Sequence, residues 1–183
     1  KSLFPHAYIV GGEASDYGFF FDFILENETL DAQGLIHLEE RVRGLLSSEV
    51  SGKTTEMIRE NAVAFFEHQH QPYLADQLTV SSDSLAQLIK IENFYDLCAV
   101  EFEGKFKDIG FIKLLEVEER QVKYPGLESL QVIRVTGTLF PSQKELKEFL
   151  KKMREAKKYT HQVLGPQLDL FHFDAQGLCY WSP

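Results

Sequence analysis

Apolar positions along the chain repeat with two different periods, and the period predicts where strands and helices lie. The stretch from Ala7 to Phe23 is rich in glycine and aromatic residues, a composition that favours strands joined by tight turns. Alternating apolar positions predict further strands over 111–116 and 131–138, and Tyr124-Pro125-Gly126 between them predicts a turn. The region from Tyr73 to Thr138 is therefore predicted to be mostly strand.

Two segments in the first half of the chain show the helical period instead. A helix is predicted over about 31–47 with Asp31 as its N-cap, and its apolar positions at helical spacing are Leu35, Leu38, Val42 and Leu45. A second helix fits about 58–69, and its inward positions are Ala62, Phe65 and Phe66. The sequence Gln71-Pro72 is predicted to end it, because a residue before proline is disfavoured in helical conformation.

A third, strongly helical segment begins after Pro141. Ser142 is its N-cap, Glu145 three residues later completes a capping box, and Gly165-Pro166 closes the segment. One face is basic, and its cations are Lys144, Lys147, Lys151, Lys152, Arg154, Lys157 and Lys158. This face either meets RNA phosphates or is an ordinary solvated face balanced by the glutamates on the same helix.

The order of these elements predicts a mixed α+β body followed by a long C-terminal helix. The predicted boundaries are 1–140 for the mixed body, 141–165 for the basic helix and 166–183 for a short tail. With 183 residues and 44% hydrophobic content the chain can form a core, which excludes a wholly disordered or collagen-like protein. No stretch approaches the ~20 apolar residues needed to span a bilayer.

Charge and cysteine content narrow the function classes. Lys plus Arg is 19 and Asp plus Glu is 28, so the net charge is −9 and generic phosphate binding is disfavoured, although a local basic stripe could still contact RNA. Cys98 and Cys179 lie far apart and make no disulfide framework, so we expect a reducing, cytoplasmic setting. The chain begins at Lys1 rather than methionine, which suggests a piece of a longer protein.

Candidate chemistry centres on Asp96 and Cys98 in the sequence Phe94-Tyr95-Asp96-Leu97-Cys98. In a strand these two side chains share a face, so they could form part of a metal site or an acid–base pair. The competing interpretation is a buried cysteine beside an exposed turn aspartate. His68 and His70 lie two apart at a helix end, where an exposed terminus is favoured over a metal site because such a site needs more converging ligands.

Several motifs occur together in an order that resembles the editing domain and linker helix of bacterial-type threonyl-tRNA synthetases. The resemblance covers essentially the whole chain, and its C-terminal block is the most specific part. The matching stretches are Leu3-Phe4-Pro5, Gly11-Gly12, the run from Asp16 to Asp22, Pro72-Tyr73, Asp96-Leu97-Cys98, Arg134 to Thr138, Glu155 to Lys158, His161, Leu164-Gly165, Leu168 to Phe171, and Gly177 with Trp181 and Pro183.

This resemblance implies, over 1–140, the α+β fold that threonyl- and alanyl-tRNA synthetase editing domains share, in which an antiparallel β-sheet is packed with helices. It also implies that 141–165 is the linker helix and that 166–183 is the truncated start of a class II catalytic domain. The parent would then be a threonine–tRNA ligase that uses ATP, magnesium and zinc, contacts tRNA, has no membrane partner, forms a homodimer and works in the cytoplasm. This chain by itself would lack the ATP-binding motifs.

Departures from the family pattern fall on the polar pocket that removes wrongly attached serine. Asp96 and Cys98 match the family's site, but its lysine position is Leu74 and its late histidine position is Phe102. The family's tyrosine in the aromatic run is a phenylalanine, either Phe20 or Phe21. We therefore expect a degenerate editing site, no bound zinc or other cofactor in this chain, and a structural role against the tRNA acceptor arm.

Two alternatives remain open from the sequence. One is an active deacylase for serine-charged threonine tRNA, in which Asp96 acts as the base or orients water and Cys98 is a ligand or polar contact. The other is a non-catalytic module whose acidic surface meets a protein partner.

Overall fold

The computed structural model describes residues 3–15, 18–26, 28–158, 171–173 and 179–181. The chain divides into two compact units, Lys1–Pro141 and Ser142–Pro183. The strands of the first unit are β1 Tyr8–Ser15, β2 Gly18–Ile24, β3 Ser51–Ile58, β4 Leu85–Ile91, β5 Phe94–Leu97, β6 Glu103–Lys105, β7 Phe111–Val122 and β8 Leu130–Phe140. Its helices are α1 Ala32–Leu46, α2 Arg59–His68 and α3 Pro72–Thr79, with a 3₁₀ turn over Phe106–Asp108.

The strands of the first unit form two antiparallel sheets of four strands each. The first sheet has the order β1-β2-β8-β7 and the second has the order β5-β4-β3-β6. Helix α1 packs against β7, and α2 and α3 pack against each other. The α+β fold class is thus confirmed, with the strands shared between two antiparallel sheets.

Helix α1 begins where its sequence predicts. The Asp31 side chain accepts a hydrogen bond from the Gly34 N–H at 2.7 Å, which satisfies one of the free donors at the helix start. The predicted apolar stripe is wrong at one position. Leu45 is 55% exposed, and Leu46 instead joins Leu35, Leu38 and Val42 in the cluster against β7 and β8.

Helix α2 has the predicted inward residues, since Ala62 and Phe66 are buried and Phe65 is half-buried. The prediction of mostly strand after Tyr73 is wrong at its start, because Pro72 opens a second helix, α3. Proline is favoured at the first helical position, where its missing N–H is not needed. Two buried residues of α3, Leu74 and Leu78, complete a core cluster with α2 and β4.

The turn after β7 matches its prediction. The Leu127 N–H donates to the Tyr124 carbonyl at 3.1 Å, and Gly126 has φ +76°, a conformation that glycine adopts without strain. Leu127 then packs with Val10 and Val132 in a separate cluster beside the first sheet. The turn therefore brings Tyr124 over β1, next to residues distant in sequence.

The second unit contains helix α4, Gln143–Lys158, and an antiparallel strand pair, β9 Phe171–Phe173 with β10 Cys179–Trp181. The Glu145 N–H donates to the Ser142 hydroxyl at 3.2 Å, as the predicted N-cap requires. The predicted end of this helix at Gly165-Pro166 lies outside the described residues. In the described part of the chain, no helix is long and apolar enough to cross a membrane.

Candidate functional site

Asp96 and Cys98 lie at the end of an edge strand of the second sheet. Asp96 is in β5 and pairs with Ile89 of β4, while Cys98 follows the strand and continues the ladder by donating its N–H to the Gln87 carbonyl at 3.0 Å. Both side chains are half-buried. The alternative of an exposed turn aspartate is therefore not what the structure shows.

The Asp96 carboxylate has a low-polarity environment. Burial raises its pKa to about 6, and the hydrogen bond from the Leu97 N–H to Oδ1, at 2.8 Å, opposes that rise. A carboxyl group that titrates near neutral pH is a candidate proton acceptor. Burial of a carboxylate in ordinary packing raises its pKa in the same way, so the raised pKa does not by itself make Asp96 a base. A base also needs a proton to abstract within hydrogen-bond distance.

The Cys98 thiol is directed back onto its own loop. Its Sγ donates to the Val100 carbonyl at 3.0 Å. A thiol becomes a strong nucleophile when a nearby histidine or cation stabilises the thiolate. The neighbouring residues in sequence, from Ala99 to Phe102, supply only one charged group, the exposed Glu101.

The positions where this sequence departs from the family pattern are occupied by packing residues. Leu74 is 1% exposed and belongs to the α2–α3 core. Phe102 stacks on Phe106 with ring centroids 5.8 Å apart. Phe20 lies against the Arg134 guanidinium at 3.8 Å from its ring centroid, whereas Phe21 is 40% exposed and stacks on Phe23. Each of these aromatic and aliphatic side chains therefore contributes contact area and no titratable group.

The described residues do not fit the zinc ion that the family resemblance implies. No three histidine, cysteine, aspartate or glutamate side chains in that part of the chain come close enough to share an ion. A protein zinc site takes three or four such ligands.

The raised pKa of Asp96 predicts a pH-dependent stability. The folded chain holds the Asp96 proton up to about pH 6, whereas the unfolded chain releases it near 3.8, so ionisation disfavours the folded state. As the pH rises from 3.8 to 6, the free energy of unfolding of the unmodified chain should fall relative to that of the Asp96→Asn variant. Above pH 6 the difference between the two proteins should stay constant. Urea unfolding of both proteins across this range measures it, and a pH-independent difference would contradict the prediction.

The described cations of helix α4 are exposed, namely Lys144, Lys147, Lys151, Lys152 and Arg154. Helical spacing puts Lys144, Lys147, Lys151 and Arg154 on one side, and it directs Lys152 elsewhere. Lys151 lies 3.9 Å from Glu155, an exposed pair of small energetic value. Lys157 and Lys158 belong to the helix, but their side chains lie outside the described residues.

Sequence reasoning missed a buried ionic cluster in the first sheet. Asp22 is fully buried, and the Arg134 guanidinium donates to it twice, from Nε at 2.8 Å and from the terminal nitrogen at 2.7 Å. The Tyr124 hydroxyl donates to the same carboxylate at 2.7 Å. One signal was available, because Asp22 is the only charged residue in the apolar strand Gly18–Ile24.

The position of Tyr124 in this cluster depends on a glycine. A Cβ atom added to Gly11 would lie 2.6 Å from the Tyr124 ring, so the ring rests directly on the β1 backbone. Burial and the hydrogen bond to Asp22 raise the pKa of Tyr124, which keeps its hydroxyl protonated as a donor. The Asp22 carboxylate accepts from both Arg134 and Tyr124, so the cluster joins β1, β2, β8 and the turn.

The relatives that comparison with known proteins gives for this chain include threonine–tRNA ligases from several bacteria. No family model matches the chain. The chain is 30% identical over 187 residues to the threonine–tRNA ligase of Lawsonia intracellularis, 31% over 188 residues to that of Cytophaga hutchinsonii and 32% over 190 residues to that of Teredinibacter turnerae. Each alignment covers 100% of this chain but 29% of the relative, so the chain spans about 29% of the length of these curated relatives.

Proposed function

Because this chain is related over its full length to one segment of the threonine–tRNA ligases, we propose that it is the editing-type domain and linker helix of such an enzyme, with a hydrolytic site that no longer works. Its role is then to contact the tRNA acceptor arm and to support the parent enzyme. The parent attaches threonine to its tRNA with ATP, magnesium and zinc, as a cytoplasmic homodimer.

The surroundings of Asp96 carry this proposal. Hydrolysis of an ester needs a group that removes a proton from water and groups that stabilise the charge on the carbonyl oxygen. Asp96 could supply the first, but its Oδ1 is held by the neighbouring Leu97 N–H and Cys98 binds its own loop. At the two positions where the family has a cation and an imidazole, this chain has Leu74 and Phe102. Both side chains pack in apolar contacts.

Serine-charged threonine tRNA should therefore survive incubation with the purified chain at the uncatalysed rate. The reason is that a carboxylate does not stabilise the negative charge that develops on the carbonyl oxygen, and the family's cation and imidazole positions hold Leu74 and Phe102. Loss of radiolabelled serine from the tRNA measures the rate, with and without added zinc. Asp96→Ala should leave that rate unchanged.

Glu56→Ala is the matched control, because it removes an exposed carboxylate from the same sheet. Rapid hydrolysis that Asp96→Ala abolishes and Glu56→Ala retains would establish an active deacylase with a rearranged site. That result would overturn the proposal, since the apolar substitutions would then not have removed the chemistry.

Contact with tRNA is expected to run along the cationic side of α4. Phosphate contacts release counterions, so the logarithm of the binding constant falls with the logarithm of the salt concentration in proportion to the number of contacts. The triple variant Lys144→Ala, Lys147→Ala, Lys151→Ala should flatten that slope by about 2–3, the value for three lost contacts. Fluorescence titration of threonine tRNA at several salt concentrations measures the slope.

A control with the same charge change removes three cations from the first unit, through Lys53→Ala, Lys90→Ala and Arg120→Ala. The proposal expects this control to keep the slope of the unmodified chain. Equal effects of the two triple variants would show that net charge, rather than α4, governs binding and would contradict the proposed contact.

A further inference from the structure

The segment that links β5 to β6, Cys98–Phe102, crosses one face of the second sheet, and it is called the strap below. Strands β5 and β6 are at opposite edges of that sheet, so the strap has to pass both β4 and β3. Three gaps between neighbouring strands add up to about 14 Å, and five extended residues reach about 17 Å. The backbone of the strap therefore has to be almost fully extended.

Strand register shows which face the strap crosses. Thr54 of β3 pairs with Ile89 of β4, and Ile89 pairs with Asp96 of β5. Residues directly opposite each other in antiparallel strands direct their side chains to the same face. The side chains of Thr54 and Asp96 consequently lie on the same face of the sheet. Because the Thr54 side chain contacts the strap, the strap crosses this face.

Thr54 makes a dense set of hydrogen bonds with the strap. Its hydroxyl accepts from the Phe102 N–H at 2.7 Å and donates toward the Phe102 carbonyl at 3.1 Å or the Val100 carbonyl at 3.4 Å. Its own N–H donates to the Phe102 carbonyl at 2.7 Å. The Val100 carbonyl also accepts from the Cys98 thiol, so the threonine hydroxyl and the thiol converge on one short piece of chain.

Apolar packing holds the far end of the strap. Phe102 stacks on Phe106, and both rings lie over Gly52, whose added Cβ would be 3.0 Å from Phe106 and 3.2 Å from Phe102. The middle of the strap has no such support, because Val100 is 71% exposed. The Thr54 hydroxyl is therefore the side-chain attachment of the strap to the face that it crosses, beside the backbone hydrogen bond from the Thr54 N–H.

We propose that the strap closes over the side of the second sheet that carries Asp96, which is called the Asp96 face below. Thr54 is the positioning residue that keeps the strap closed. Release of the Thr54 hydroxyl then frees the strap between its two ends and opens Cys98 and the face beneath to solvent and to small reagents. This closure is independent of whether the site retains any chemistry, and it adds a steric reason to the chemical one given above.

Thr54→Val tests the closure, because valine keeps the shape of threonine and removes the hydroxyl. Amide hydrogen exchange at Phe102 and alkylation of Cys98 by iodoacetamide, located by mass spectrometry, should each accelerate about five- to tenfold, as expected when one or two hydrogen bonds are lost. Thr54→Ser should restore both rates. Thr55→Val on the opposite face of β3 is the matched control and should change neither.

A folded Thr54→Val protein with unchanged rates at both positions would overturn the proposal. If Thr54→Val does not fold, Val100→Gly makes the same test, since it loosens the strap without removing core contacts. It should also accelerate both rates several-fold, and unchanged rates would again overturn the closure.

The serine-charged tRNA assay on Thr54→Val separates this proposal from the proposed function. Faster alkylation without hydrolysis supports both, since the opened face still lacks the groups for catalysis. Faster alkylation with new hydrolysis supports the closure and overturns the loss of chemistry. Unchanged alkylation overturns the closure alone and leaves the proposed function standing.

Discussion

Replacing Asp22 with alanine is expected to lower the free energy of unfolding by about 3–5 kcal/mol, the largest effect of any single substitution considered for this chain. The change leaves the Arg134 guanidinium, 17% exposed, without its bidentate partner, and it leaves the Tyr124 hydroxyl without an acceptor. Removing one member of a buried ion pair costs far more than the pair contributes, because an uncompensated charge remains inside. Urea unfolding monitored by circular dichroism measures the difference.

Two further variants show whether the stranded charge is the cause. Glu103→Ala breaks the Lys53–Glu103 pair in the second sheet, whose side chains are 67% and 73% exposed, and should cost less than about 1 kcal/mol. The double variant Asp22→Leu, Arg134→Met should recover much of the lost stability, because apolar residues often replace a buried pair without penalty. If Asp22→Ala costs no more than Glu103→Ala, the cluster does not stabilise the first sheet.

Replacing Glu39 with alanine should lower the free energy of unfolding by about 1–3 kcal/mol. Glu39 is a buried residue of α1 whose carboxylate accepts from the Leu114 N–H at 2.9 Å and from Lys113 at 2.8 Å, while Arg43 lies 2.9 Å away. Register between β7 and β8 shifts between Leu114 and Glu116, so this N–H lies at a bulge. The alanine variant leaves a buried backbone donor unsatisfied, and thermal unfolding measures the cost.

Glu40→Ala is the control for Glu39, because Glu40 is the next residue of the same helix and is exposed. It should change the stability by less than about 0.5 kcal/mol. Glu39→Gln keeps an acceptor for the Leu114 N–H and should cost less than the alanine variant. Equal losses in Glu39→Ala and Glu40→Ala would mean that the effect comes from helix propensity or net charge.

Local signals predicted the elements whose termini depend on nearby residues. The Asp31 cap, the Ser142 cap and the turn at Gly126 were readable because each is stabilised by hydrogen bonds within three residues. The local sequence does not predict helix α3, because Pro72 fits the end of one helix as well as the first turn of another. Leu45 was misplaced because both it and Leu46 fit an apolar stripe, and only packing against β7 and β8 selects Leu46.

Residue types and their spacing are sufficient to indicate the α+β class, the cationic side of α4 and the relation to threonine–tRNA ligases. The same patterns single out Asp96 and Cys98, and the catalytic role of these two residues stays a prediction. Three contacts depend on the fold instead: Thr54 bonds to the strap, Arg134 and Tyr124 meet at Asp22, and Glu39 reaches the β7 bulge. These partners are 48 to 112 residues apart, and strand register and sheet order, which no local pattern encodes, bring them together.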